Sequence, residues 1–166
     1  MAPEIVATMG ETRRLLHHFL AALAYRTQKA LRDAPADFGS FQAGEGVRTP
    51  AGMVCHMTSV LGYARTFFIG GSYWPEPLPT FEDEIARFHD MLGALRELLE
   101  TDAPLDGLTE EQLLQGQFSD AMTHAGQLAM LRRLHGDPVR SENFIHAAIS
   151  PENLTSDQPD PVAPDE

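Results

Sequence analysis

In the stretch SDAMTHAGQLAMLRRLHGDPV, Asp120 and His124 stand four residues apart. On a helix that spacing puts a carboxylate and an imidazole about one turn apart, where both can reach a single ion. His56, in TPAGMVCHM, is the third residue of interest. At about 100° per residue, Asp120, His124, Gln127, Leu131 and Leu134 share one helical stripe. Leu131 and Leu134 read as core, so Asp120 and His124 are expected to face inward with them. An ionised carboxylate in such a place is costly unless it is paired or holds a metal. The same arithmetic groups Met53, His56, Val60, Tyr63 and Phe67, which turns His56 inward as well. Cys55 is rotated by about 100° from His56 and is not expected as a co-ligand. Two imidazoles and one carboxylate with open positions suit Zn(II), Fe(II), Mn(II) or Ni(II). Spacing alone leaves two readings, a metal half-site and a plain hydrogen-bonded Asp–His pair, and His56 taken singly reads as a core histidine. Gln127, one turn past His124, fits either a support behind the ligands or a helix–helix hydrogen bond.

These residues need helices to position them. Ile5, Met9, Leu16, Phe19, Leu20 and Leu23 recur at helical spacing and predict a first helix over 3–32. Within it, RRLLHHFLAALA resembles a secretion signal, but Glu4, Glu11, His17 and His18 fit an amphipathic helix better. DAPADFGSFQAGEGVRTP reads as a loop. Thr49-Pro50 is a cap followed by a first-turn proline and opens a helix over 50–69. GGSYWPEPLP is too rich in proline to be regular. Thr80 caps a third helix over 81–101, with Glu82, Asp83 and Glu84 at its positive end. TDAPLDGLTEEQLLQGQF reads as a polar connection with at most one short helical turn. The fourth helix is expected over 117–135, stopped by Gly136 and Pro138. Phe144, Ile145 and Ile149 give residues 139–150 enough apolar surface to pack back. The division expected is a helical bundle over 1–150 and an acidic, proline-rich tail over 151–166, mobile or lying on the surface.

Composition narrows the partners. With 12 basic and 24 acidic residues the formal charge is −12, so neither nucleic acid nor an anionic membrane surface is an expected partner. No apolar run approaches the ~20 residues of a spanning helix. The single cysteine allows no internal disulfide and suits a cytoplasmic setting. The remaining histidines, His17, His18, His89, His135 and His146, read as structural or solvated, and Arg132 and Arg133 as a solvated helix end.

TPAGMVCHM together with DAMTHAGQLAMLRRLHGDPV resembles the DinB-like superfamily of metalloenzymes, over nearly the whole chain to about residue 150. The resemblance implies an antiparallel four-helix bundle, a homodimer, and a divalent metal, often nickel or zinc, held at the positions of His56, Asp120 and His124. The usual pattern has histidine at all three; Asp120 departs from it, which lowers the net charge of the site and bears on the preferred metal. The implied activity is transfer from a low-molecular-weight thiol to a small molecule, or a related hydrolysis. On that reading, substrate is expected to enter from the side covered by GGSYWPEPLP and residues 139–150. The alternative is a non-catalytic dimeric bundle with a structural or vestigial site. A non-haem iron oxygenase uses the same kind of ligand set but commonly another fold.

Overall fold

The computed structural model describes residues 9–162. Four long helices carry the structure: α1 (Glu11–Leu31), α2 (Pro50–Ile69), α3 (Phe81–Glu100) and, after the short α4 (Glu110–Leu113), α5 (Ser119–Leu134). Single 3₁₀ turns occur at Phe38–Ser40 and Phe144–His146, and the described residues contain no strand. Residues 3–8 of the expected first helix lie outside the described residues. No described helix is long and apolar enough to cross a membrane.

Local chemistry sets the helix starts. Thr49 Oγ1 accepts the Gly52 N–H at 3.1 Å, with Pro50 in the first turn, and Thr80 Oγ1 accepts the Asp83 N–H at 3.1 Å. The helical stretch leading into α5 begins earlier than position 117. Thr109 and Gln112 form a reciprocal capping box that starts α4, and a five-residue π-helical turn, Leu114–Phe118, joins it to α5. Gly116 leaves helical geometry inside that turn, at φ −89° and ψ −107°.

The helices form a ring in which α1 packs on α3 and α5, and α2 packs on the same two. Chain neighbours α1 and α2 are therefore diagonal, and the 32–49 connection has to cross one end of the bundle. Leu20 and Leu23 of α1, Met57 and Leu61 of α2, and Leu92 and Leu95 of α3 are fully buried in the shared core. From α5 the core takes Ala121, Ala125, Leu128 and Leu131. Leu134 does not join them: it is 60% exposed. It lies at the end of α5, where Val47 and Arg48 of the crossing loop line a cleft with it and no helix covers it. Tyr63 is likewise half exposed, with its ring against Phe67.

The chain after α5 is tied down along α1 and α3. Glu142, its side chain without exposed surface, accepts from Tyr25 Oη, from Lys29 Nζ at 2.6 Å and from the Val162 N–H at 3.0 Å. Further on, Leu154 is buried and its carbonyl accepts Nδ1–H of His89 at 2.7 Å. Arg32 donates to the carbonyls of Gln158 and Pro159. The described part of the tail, 151–162, thus lies on the surface, with Leu154 and Gln158 anchored in it. His89 has partners from Gln28 and the tail rather than from its own helix.

Arg132 is the clearest departure from the expected solvated helix end. It is 4% exposed. Its Nη1 donates to the carbonyls of Ala30 and Arg32 at 3.0 and 2.9 Å, its Nε to the carbonyl of Asp137, and its Nη2 to the Asp137 carboxylate. The last carbonyls of α1 have no intrahelical donors, and this guanidinium supplies them. Arg132→Ala is expected to lower the unfolding free energy by about 3 kcal/mol, because it orphans buried acceptors. Arg132→Lys should recover only part of that, having no fork. Urea denaturation followed by circular dichroism reads both values, and a loss near zero for the alanine variant would contradict the assignment.

Candidate metal centre

His56 leaves α2 and His124 leaves α5 toward each other. Their rings meet edge to face with centroids 4.8 Å apart. One donor atom from each of His56, Asp120 and His124 lies within 4.8 Å of the others. The three residues singled out by spacing are therefore together, one from α2 and two from successive turns of α5. Cys55 is turned away and its Sγ sits against Pro75 and Arg87. Gln127 and Met53 line one cleft with Leu131, so higher numbers on α5 lie beside lower numbers on α2. The two helices run antiparallel here.

The hydrogen bonding at His124 fixes what its ring can offer. Nδ1 lies 2.6 Å from Oε1 of Gln127. With Oε1 as the acceptor Nδ1 carries the proton, and with the amide turned over Nε2 carries it. Nε2 faces Asp120 Oδ1 at 3.4 Å. In the first form two acceptors confront each other there; in the second an N–H points at the carboxylate. A cation relieves the first arrangement, as does a second proton on the ring. Donor atoms around one tetrahedral zinc stand about 3.3 Å apart, close to the Nε2–Oδ1 separation. The donor set and the Nε2–Oδ1 separation thus fit a divalent ion, and His56, in a group whose donors lie within 4.8 Å of one another, completes it by a small approach. Gln127 holds the orientation of the His124 ring.

The burial differs from the inward stripe expected for these residues. His124 is buried and His56 half-buried, but the Asp120 side chain is 50% exposed. The site lies at the α2–α5 edge of the bundle, not in its interior. The cost of a buried charge consequently gives no reason for a metal at Asp120; the convergence of three donor groups does. Asp120 stands in the first turn of α5, at the end of its stripe, whereas His124 lies one turn further in.

A cleft of about 330 Å³ opens one turn from His124, lined by Arg48, Met53, Gln127, Met130, Leu131 and Leu134. Arg48 also acts on His56 electrostatically. It comes from the loop before α2, and spacing along a helix cannot find such a residue. The 139–150 extension does not cover this side. Its Glu142 and Phe144 engage Tyr25, Arg26 and Lys29 of α1. The GGSYWPEPLP segment packs on α2 through Tyr73, whose ring would lie 2.0 Å from a Cβ at Gly62. Glycine is required there by close approach. The groove lined by Tyr73 and Trp74 begins at Ser59 and Val60, one turn beyond His56.

No family model matches the chain. No curated protein and no solved structure matches it either.

Burial holds the His56 imidazole below its ordinary pKa, Arg48 and His124 add to the effect, and Asp120 opposes it. Burial does the same to His89, against its bond to Leu154 and the charge of Asp90. Both groups therefore protonate more readily in the unfolded chain. Their contribution to stability is complete above pH ~6.5 and is lost as pH falls from there through the folded values. The urea midpoint of metal-free protein is expected to start falling near pH ~6.5, and the double variant His56→Gln/His89→Gln to show a flatter profile over pH ~5–7. Identical profiles would refute the assignment.

Proposed function

We propose that this chain is a metal-dependent enzyme of DinB-like type, with a divalent ion held by His56, Asp120 and His124. The reaction proposed is transfer from a low-molecular-weight thiol to a small-molecule acceptor, or the related hydrolysis. The observation that carries the reading is the convergence of His124 Nε2 and Asp120 Oδ1, 3.4 Å apart, with His56 as a third donor from the neighbouring helix. A bound zinc, nickel, manganese or iron ion supplies Lewis acidity that makes a thiol or a water nucleophilic near neutral pH. The protein's own part is positional. With its amide oxygen toward the ring, Gln127 keeps the His124 proton on Nδ1, away from the site. Burial and Arg48 favour the neutral form of His56, which is the form that ligates. The Asp120 carboxylate offsets one unit of the ion's charge. The chain is proposed to work as a cytoplasmic homodimer.

A second reading rests on the same 3.4 Å approach. With a second proton, His124 forms an ion pair with Asp120, and the cluster is structural in a non-catalytic bundle. The half-exposed Asp120 carboxylate leaves the cluster accessible from solvent, which supports the enzyme reading, since a purely structural cluster has no need of access.

Zinc, nickel or manganese at a hundredfold excess over its dissociation constant is expected to raise the melting temperature by roughly 5–10 °C. His56→Ala and His124→Ala should abolish the rise, and Asp120→His should retain it. An unchanged melt with all three ions would leave the ion-pair reading in possession. Thiol-conjugation assays run against esterase and amidase panels, each with and without the stabilising ion, separate the two proposed reactions.

A further inference from the structure

The other face of α5 borders a cavity of about 320 Å³, walled by α1 and by the segment 139–144. Its floor is apolar, made by Ala30 of α1 and by Met122, Ala125 and Ala129 of α5. Ala125 follows His124 directly, so this cavity and the candidate metal centre lie on different sides of one helix.

The charge around the cavity is unlike that of the rest of the molecule. The chain carries 24 acidic and 12 basic residues, yet four bases, Arg26, Lys29, Arg133 and Arg140, line this one space. Glu142 is its one acidic lining residue, and its carboxylate already accepts from Lys29, Tyr25 and the Val162 N–H. Burial pushes that carboxyl up, but the three hydrogen bonds and the charge of Lys29 outweigh it, so it stays ionised and committed. Arg26 stacks over the Phe144 ring at 3.7 Å and, among the described residues, has no ion-pair partner. Among the described residues, Arg133 and Arg140 have neither a hydrogen-bond nor an ion-pair partner. Among the described residues, three exposed guanidinium groups without an ion-pair partner thus rim an apolar floor.

We infer that this cavity binds a small organic anion, a carboxylate or phosphate carried on an apolar body of several carbons. Guanidinium forks match both anions in two-pronged geometry, and the floor takes the hydrocarbon. The volume is at the lower end of the range for small-molecule sites, which sets the size of the ligand. The walls are held in place without a ligand: Glu142 ties the segment to α1, and Phe144 packs edge-on against Tyr25 at 6.3 Å. The site is independent of metal at His56, Asp120 and His124.

The test is isothermal titration of the full chain, in chelator, with octanoate, octyl phosphate and octanol, all below their aggregation concentrations. Both anions are expected to bind saturably at one site, and octanol at least tenfold more weakly. Their relative affinity tells carboxylate from phosphate as the favoured head group. Arg133→Gln and Arg140→Gln should each weaken anion binding roughly tenfold, the loss of about 1.4 kcal/mol. Arg65→Gln, on α2 away from the cavity, should leave it unchanged. All three replacements are at the surface or its edge, so folding is preserved and can be checked by the melt. Equal affinity for octanol and octanoate, non-saturable uptake, or full affinity in the Arg133→Gln/Arg140→Gln double variant would overturn the inference.

Discussion

The guanidinium of Arg132 ties the end of α5 to the end of α1, and the candidate metal centre and the apolar-floored cavity both lie along the helix it anchors. It reaches from the last turn of α5 to the terminal carbonyls of α1 and returns to Asp137, so one side chain fixes where two helices end. Main-chain acceptors at a helix end cannot be left dry, and a planar fork with several donors satisfies them where a lysine does not. The seat of α5 against α1 then decides what its other face presents to α2. The meeting of the His56 and His124 rings follows from that placement, as does the cavity on the α1 side.

α5 is therefore a partition. One face carries His124 and Gln127 toward α2; another carries Ala125 and Ala129 toward α1. Only small side chains on the second face keep the space beneath Arg26 and Arg140 open. Larger ones would fill it and gain burial at about 25 cal/mol per Å². A polar edge on one side and an empty apolar floor on the other both forgo stability that close packing would have given.

Much of this was readable before any coordinates. Thr49-Pro50 and Thr80 placed two helix starts because a cap is a local device, written in neighbouring residues. The convergence of His56 with Asp120 and His124 followed from two periodicities and the tendency of inward stripes to meet. Failures occurred where the deciding partner is distant in sequence. Leu134 and Tyr63 obey the helical period yet find no helix opposite them, and Asp120 shares its stripe with Leu131 yet stands at the rim. Arg132 looks like any solvated base until the end of α1 is brought to it, and Arg48 belongs to a loop with no period at all. The capping box of Thr109 and Gln112 is also written in neighbouring residues, yet the polar composition around it hid the early start of the helix leading to α5.

The π-helical turn ahead of α5 has a geometric consequence of its own. Widening one turn to five residues is equivalent to slipping a supernumerary residue into an otherwise continuous rod. Upstream and downstream side chains then keep different angular phases, and the segment can point Leu113 at the core on one side of the offset and Ala121 on the other. The bearing of Leu113 relative to α5 is accordingly a matter of residue count in this turn as much as of its own identity. A one-residue deletion there would restore a single phase, swinging everything before Ser119 by about 100° while leaving the imidazole of α5 where it stands.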